Sequence, residues 1–232
     1  MPEQPWVMTQ TWNDLLFAHW PVDVETLRRK VPSPFEIDCF EGQAWIAIVP
    51  FHMTNVGVRA VPALPWVSAF PELNVRTYVR VGNRPGVYFF SLDAASTFAV
   101  RTARTLLNLP YFMATMKVDL QGEEVSYESS RTESPSGVFT ATYRPVAPVF
   151  EPTAGTLEYF LTERYCLYNI DRLGRPYRLE IHHPPWSLQR AEATIVRNSM
   201  ATANGFDLPS GAPLLHFAKR QDMVGWAPMK LL

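Results

Sequence analysis

Short turn signals between strand-like segments are the feature that most constrains how this chain can fold. Extended segments joined by a few turn-forming residues form hairpins, and the strands of a hairpin pair antiparallel. Four hairpins are predicted, at residues 35–49, 72–92, 111–133 and 165–182. Further strands are predicted at residues 137–143, 191–197 and 214–223. The chain should therefore be rich in β-structure and mostly antiparallel.

Helical signals are fewer and shorter. Asp23, Ser96 and Thr156 each precede apolar residues at helical spacing, as helix-capping residues do. In the second helix the side chains predicted to face inward are Ala99, Ala103, Leu106 and Leu107. Residues 56–69, which include two prolines and Trp66, are predicted to form a long loop over the sheet. The predicted class is α+β, with three or four short helices.

Length and composition indicate a single domain, residues 1–232. The chain has 232 residues, 47% of them hydrophobic, which is enough to bury a substantial core. A net charge of -1 argues against a dedicated nucleic-acid partner. The first residues lack the pattern of a signal peptide, and the longest apolar run, residues 44–51, is too short to cross a bilayer. We therefore expect a cytoplasmic protein without a membrane partner.

Glu72, Asn74 and Arg76 occupy alternate positions in a strand-like segment and should share one face of that strand. Alternate polar residues usually mark a solvent-facing surface. The apolar and aromatic residues around this segment instead favour a buried hairpin, where a carboxylate must be paired or protonated. We expect Glu72 and Arg76 to lie within reach of each other or of a shared ligand.

Other polar residues are weaker candidates. Glu180 and His182 form an E-x-H pair, but a metal site needs a third ligand, and no pattern in the chain supplies one. Asp93 lies between a strand and a helix, where polar residues most often cap the helix. His19 lies among aromatic residues, where a histidine is more often a core residue than a catalyst, and His216 offers less still. We expect neither a metal nor a cofactor.

The common catalytic signatures are missing. The sequence contains no G-x-G-x-x-G, G-x-x-x-x-G-K-[ST], H-E-x-x-H or G-x-S-x-G segment. Their absence disfavours dinucleotide-binding Rossmann enzymes, P-loop enzymes, zincins and α/β-hydrolases.

Four segments resemble a bacterial family of uncharacterised proteins, the YqjF-like group. These segments are residues 11–20 (TWNDLLFAHW), 70–78 (FPELNVRTY), 89–93 (FFSLD) and 180–186 (EIHHPPW). The resemblance covers nearly the whole chain. It implies the acetoacetate-decarboxylase-like fold, a β-rich cone or barrel with a central cavity.

The resemblance also indicates which chemistry is missing. Acetoacetate decarboxylase has an aromatic-x-Glu element, and Phe70-Pro71-Glu72 is similar, so Glu72 would correspond to a cavity carboxylate. That enzyme also has a Pro-Lys-Lys element, in which one lysine forms a Schiff base and its neighbour lowers the pKa of that lysine. The nearest match here, Pro110-Tyr111-Phe112, has no amine, and Lys117 lies six residues beyond Tyr111, roughly 20 Å along a strand. Schiff-base decarboxylation is therefore not expected.

The leading interpretation is a protein that binds a small anionic or carbonyl-bearing organic molecule in an interior cavity. The expected ligand-binding residues are Glu72, Asn74, Arg76 and Tyr111, with His19, Asp93 and His182 as weaker members. One alternative is a lyase or hydrolase without a Schiff base, in which Glu72 or His182 acts as general acid or base. Another is a non-catalytic interaction protein whose surface aromatic residues include Trp66 and Trp186. The sequence leaves open the identity of the ligand, whether any reaction is catalysed, and whether the protein forms a homo-oligomer.

Overall fold

Most of the chain forms one β-rich structure with few helices. The computed structural model describes residues 2–60 and 69–231, with 55% of the chain in strands and 12% in helices. The strands are β1 Met8–Val22, β2 Glu36–Ile37, β3 Ala44–Val58, β4 Phe70–Val81, β5 Arg84–Ala94, β6 Tyr111–Gln121, β7 Glu124–Arg131, β8 Val138–Pro145, β9 Cys166–Ile170, β10 Pro176–His182, β11 Gln189–Asn198, β12 Leu214–Gly225 and β13 Met229–Lys230. The helices in the described ranges are α1 Val24–Arg28, α2 Thr97–Leu107, α3 Leu157–Thr162 and α4 Met200–Ala203. The predicted α+β, β-rich class is confirmed.

Nine strands close into a barrel. Neighbouring strands follow the order β5-β6-β7-β8-β11-β12-β1-β3-β4, and β4 pairs with β5 to complete the ring. All of these pairs are antiparallel except β5–β6, whose parallel pairing follows the crossover through α2. The interior of this barrel is filled by buried apolar side chains, among them Leu16, Trp20, Tyr127, Phe139 and Phe217.

A second, smaller ring lies on the outer face of five strands of the barrel. Strand β9 pairs parallel with β5 at Val87 and Leu167, and β10 pairs with β12 at His182 and Val224. Because β9 also pairs with β10, the strands β12, β1, β3, β4 and β5 belong to both rings. These shared strands are covered on both faces. On the outer side, they are covered by the segments that follow β8 and β10. We call the region between the shared strands and these two segments the second core.

The second core explains why polar and apolar residues do not alternate in parts of the sequence. On β1, Leu16 packs into the barrel, whereas its neighbours Leu15 and Phe17 pack into the second core. Strands buried on both faces read as continuous apolar runs, as residues 44–51 of β3 do. For the same reason β1, a strand of fifteen residues, was not among the predicted strands.

Three of the four predicted hairpins are confirmed. Strands β4–β5, β6–β7 and β9–β10 are antiparallel neighbours joined by short turns at the predicted positions. The hairpin at residues 35–49 is wrong, because β2 pairs with β4 rather than with β3. Both edges of β3 are already occupied by β1 and β4, so only a single bridge, Phe40 to Gln43, forms around the turn.

The predicted helix caps are correct, but one residue of a predicted helix face is not. The side chains of Asp23, Ser96 and Thr156 each accept a hydrogen bond from a main-chain N–H in the first turn that follows. In α2, Ala99, Ala103 and Leu107 are half-buried, whereas Leu106 is exposed and Val100 is the fully buried residue. Helix α4 was not predicted.

The loop predicted for residues 56–69 begins later in the chain than expected. Strand β3 continues to Val58, and residues 61–68, which include Trp66, lie outside the described residues. Among the helices that the structure describes, none is long and apolar enough to span a membrane.

The close approach of β5 and β9 gives a direct test of the second ring. A Cβ atom on Gly86 would lie 2.7 Å from Cys166 Sγ and 2.8 Å from the main-chain oxygen of Cys166. Gly86→Ala should therefore push β9 away from β5 and lower the free energy of unfolding by roughly 1–3 kcal/mol in chemical denaturation. Gly211→Ala is the control, because nothing lies within 4 Å of its added Cβ. Equal stability of the two variants would contradict the close β5–β9 packing.

Candidate functional site

Strand β4 directs a row of polar side chains into the second core. Its residues Phe70, Glu72, Asn74, Arg76 and Tyr78 alternate with Leu73 and Val75, which pack inside the barrel. Glu72 is 2% exposed and Asn74 is 5% exposed, and both edges of the strand are paired. Glu72 and Asn74 are therefore buried and Arg76 is half-buried, so this row is not an ordinary solvent-facing surface. We call this row the β4 face.

Glu72 and Tyr111 form one end of the β4 face. The hydroxyl of Tyr111 donates a hydrogen bond to Glu72 Oε2 at 2.8 Å. Burial raises the pKa of Glu72 to about 8, an effect that the Tyr111 hydrogen bond opposes and the charge of Asp93 increases. Glu72 is therefore mostly protonated at neutral pH. A phenol thus contacts the carboxyl group at the position where the resemblance would place a lysine.

Arg76 has no carboxylate to balance its charge among the described residues. Its guanidinium carbon lies 5.2 Å from the ring centre of Phe17 and 5.7 Å from that of Tyr78. One nitrogen donates to the carbonyl oxygen of Leu161 at 3.3 Å, and the buried Nε atom has no hydrogen-bond partner. Arg76 takes part in none of the ion pairs that the described residues form. Glu72, the partner that its spacing suggested, does not pair with it.

His19 is fully buried and lies on the same face of the sheet as Arg76, with Ala47 of β3 between them in the strand registers. Its Nε2 atom lies 2.6 Å from the hydroxyl oxygen of Tyr78, and its ring stacks on Phe17 with centres 5.8 Å apart. Burial, followed by the charge of Arg76, lowers the pKa of His19 well below its usual value, so the ring is neutral.

The contact between His19 Nε2 and the Tyr78 hydroxyl fits two tautomers of the imidazole. When the hydroxyl donates to Nε2, the proton of the imidazole lies on Nδ1. The buried Nδ1 atom has no hydrogen-bond partner among the described residues.

Two further residues that the sequence analysis did not place in the site complete this region. Trp186 is 2% exposed, and its indole meets the ring of Phe17 edge-on at 4.9 Å, with its Nε1–H unpartnered. The surface position that the interaction-protein alternative gives to Trp186 is therefore wrong. His216 lies opposite Phe17 in the β1–β12 register and is buried with an unpartnered Nδ1. Trp186 ends the segment EIHHPPW, but no local pattern placed it or His216 in this region, since both positions depend on contacts between distant parts of the chain.

Asp93 lies on the opposite face of the sheet. Its carboxylate forms two hydrogen bonds with Arg131, at 2.9 and 3.2 Å, and neither side chain is exposed. Burial raises the pKa of Asp93 to about 6, and the Arg131 guanidinium opposes this shift. Asp93 is thus one half of an ion pair inside the barrel, and Ser96 rather than Asp93 caps the following helix.

His182 does not join the β4 face either. Its side chain is exposed and stacks on Tyr165, with ring centres 6.1 Å apart. Glu180 forms ion pairs with Arg84 and Arg178, so the E-x-H pair does not converge on a metal. Within residues 2–60 and 69–231 no group of three or more His, Cys, Asp or Glu side chains is placed to hold a metal ion. Of the seven candidate residues, Glu72, Asn74 and Arg76 share the β4 face, Tyr111 contacts Glu72, and His19 lies on the same face of the sheet as Arg76.

A surface cleft lies beyond the Tyr78 end of the β4 face. Its volume is about 420 Å³, and its walls include Asp38, Arg80, Phe160 and Arg164. Phe160 and Arg164 also pack on Tyr78, with the Phe160 ring centre at 5.4 Å and the Arg164 guanidinium carbon at 5.1 Å. These two side chains therefore separate the cleft from the second core.

The double-ringed β-structure has the acetoacetate-decarboxylase-like fold. MppR, an enduracididine biosynthesis enzyme complexed with pyruvate, superposes with a TM-score of 0.66 and 12% identity, covering 100% of this chain and 92% of that one. Acetoacetate decarboxylase from Legionella pneumophila superposes with a TM-score of 0.64 and 12% identity, over 100% and 92% of the two chains. Identities this low show the shared fold alone.

The chain belongs to the DUF2071 family, described as an uncharacterized conserved protein, which matches residues 9–222. The uncharacterized protein YqjF of Bacillus subtilis (strain 168) is 50% identical over 226 residues, which cover 97% of this chain and 93% of YqjF. The resemblance drawn from the four sequence segments is therefore confirmed.

The protonation of Glu72 predicts a specific pH dependence of stability. The carboxyl group titrates near 4.5 when unfolded and near 8 when folded, so between these values the native state binds more protons than the unfolded state. The free energy of unfolding should then fall as pH rises through this range, by up to about 1.4 kcal/mol per pH unit from this group. Glu72→Gln should remove that contribution, as measured by chemical denaturation from pH 5 to pH 8.

The matched control is Glu128→Gln, because Glu128 is an exposed residue of β7. This variant should keep the pH dependence of the wild type. Parallel curves for the wild type and Glu72→Gln would show that Glu72 is ionised in the folded protein.

Proposed function

We propose that the protein binds a small anionic or carbonyl-bearing organic molecule against the β4 face. The observation that carries the proposal is a group of buried polar atoms without hydrogen-bond partners among the described residues. They are His19 Nδ1, Asn74 Oδ1, Arg76 Nε and Trp186 Nε1. A buried polar group left unpaired costs roughly 1–3 kcal/mol, and a bound polar molecule would remove that cost.

The charges on this face favour an anion. The Arg76 guanidinium has no carboxylate partner among the described residues, and Glu72 is mostly uncharged at neutral pH. A guanidinium group binds a carboxylate through strong charge-assisted hydrogen bonds. A ligand with one negative charge would therefore neutralise the face, whereas a cation would be repelled.

The positions of the lysines support binding without a Schiff base. The chain has four lysines, Lys30, Lys117, Lys219 and Lys230, and all four are exposed. Lys117 forms an ion pair with Asp119 at 2.8 Å on the outside of β6. No lysine amine lies beside Glu72, where Tyr111 makes the contact instead.

A structural neighbour gives a chemical analogy. MppR is complexed with pyruvate, a small molecule that is both anionic and carbonyl-bearing. At 12% identity the residues that bind it do not transfer to this chain, but the fold accommodates a ligand of this size and charge.

A second candidate function is catalysis without a Schiff base, with Glu72 as general acid. A carboxylic acid with a pKa of about 8 holds a proton at neutral pH and can donate it to a bound substrate. The alternative acid or base, His182, is exposed and lies outside the β4 face. The interaction-protein alternative has less support, since Trp186 is buried.

Arg76→Met tests the binding proposal. The variant should fold, because it removes a charge without an ionic partner, and it should lose affinity for small carboxylates by roughly ten- to hundredfold. The measurement is the shift in melting temperature produced by a panel of carboxylic acids of two to six carbons. Arg80→Met is the control, because Arg80 lies four residues further along β4 with its side chain 51% exposed. Equal shifts for wild type and Arg76→Met would contradict the proposal.

Borohydride trapping tests the absence of a Schiff base. Incubation with acetoacetate and borohydride should label no specific lysine, because the four lysines are all on the surface. Acetoacetate decarboxylase, treated in parallel, is the positive control. Stoichiometric labelling of Lys117 would show that this part of the proposal is wrong.

A further inference from the structure

We infer that the ligand is a short hydroxycarboxylic acid, with its carboxylate beside Phe17 and its hydroxyl beside Asn74. This inference rests on the proposed function and specifies the class of molecule. It follows from the kinds of polar atoms that lack partners and from where they lie along the β4 face.

The unpartnered atoms of the side chains in contact with Phe17 are nitrogens, and His216, opposite Phe17 in the β1–β12 register, adds a further unpartnered nitrogen at Nδ1. Three side chains contact the Phe17 ring: His19 stacks on it at 5.8 Å, Trp186 meets it edge-on at 4.9 Å, and the Arg76 guanidinium carbon lies 5.2 Å from its centre. Each carries a buried nitrogen without a partner among the described residues, at Nδ1, Nε1 and Nε respectively. The nitrogens of Trp186 and Arg76 are N–H donors, and that of His19 is a donor in the tautomer with its proton on Nδ1. A carboxylate accepts up to about four hydrogen bonds and donates none, so it matches three donors and one positive charge.

The unpartnered atom further along β4 has the opposite character. Asn74 Oδ1 is a buried acceptor without a partner, and it needs a donor from the ligand. A ketone oxygen offers no donor and would leave this acceptor unpaired. A hydroxyl group donates to Asn74 Oδ1 and accepts a hydrogen bond from the protonated Glu72 carboxyl group, whose other contact is Tyr111.

The spacing along the strand sets the length of the ligand. Asn74 and Arg76 are two residues apart, which places their Cα atoms roughly 7 Å apart. Their side chains point to the same core, so a carboxylate at one and a hydroxyl at the other fit a molecule of about three to five carbons. The Phe17 ring would contact the carbon chain between the two polar groups.

Four probes separate these features: 3-hydroxybutyrate, acetoacetate, butyrate and 3-hydroxybutyramide. Affinities would be measured at pH 7 by calorimetry, with tryptophan fluorescence as a second readout because Trp186 lies in the site. We expect 3-hydroxybutyrate to bind at least tenfold more tightly than acetoacetate or butyrate, and the uncharged amide to bind weakest.

Two variants test which protein side chain binds each end of the ligand. Asn74→Leu should reduce the preference for 3-hydroxybutyrate over acetoacetate to about one, because it removes the acceptor at similar volume. Trp186→Phe should weaken binding of all three carboxylates and leave that preference unchanged. Trp226→Phe is the matched control, since the indole Nε1–H of Trp226 donates to the main-chain oxygen of Gln4 rather than to the second core.

The outcomes distinguish this inference from the proposed function. Acetoacetate binding as tightly as 3-hydroxybutyrate would overturn the hydroxycarboxylate class and leave the binding function intact. Binding of the amide as tightly as the acid would overturn the carboxylate position at Phe17. If none of the four probes binds the wild type, both the inference and the proposed function fail for molecules of this size. The comparison among probes uses the wild type, so it stands even if a variant does not fold.

Discussion

The burial of β1, β3 and β4 on both faces is the constraint on which the rest of this structure depends. These strands form one wall of the nine-stranded barrel and one wall of the second core. A polar side chain on either face has no water to bond to and must find a partner inside the protein. The two faces meet this requirement differently, and the difference locates the site.

Inside the barrel the buried charges are matched, although the Ser129 hydroxyl has no partner among the described residues. Asp93 and Arg131 form a two-point ion pair with both side chains fully buried, and the Arg131 guanidinium lies 3.9 Å from the ring centre of Phe112. In the second core the matching is incomplete. Arg76 has a carbonyl and two aromatic rings but no carboxylate among the described residues, and donors and an acceptor remain unpaired near it. A ligand that supplies the missing partners would account for this difference.

The sequence predicted the local features of this arrangement well. Turn residues predicted three of the four hairpins, and the alternation of Glu72, Asn74 and Arg76 predicted their shared face. The features it missed depend on contacts between distant strands. Trp186 is buried only because the second core covers it, and the pairing of β2 with β4 follows from β3 having no free edge. Asp93 pairs with Leu73, the residue next to Glu72, so its side chain points to the opposite face of the sheet from that of Glu72. This pairing is set by the strand register, which the local sequence around Asp93 does not reveal.

A crystal structure of the protein soaked with 3-hydroxybutyrate tests the central claim most directly. The claim is that a ligand forms hydrogen bonds with the unpaired polar atoms at the β4 face. The account predicts a carboxylate within about 3.2 Å of Arg76 Nε, His19 Nδ1 and Trp186 Nε1, and a hydroxyl at the same distance from Asn74 Oδ1. A structure in which Phe17 and Trp186 fill the second core, with the probe bound only at the surface, would contradict it.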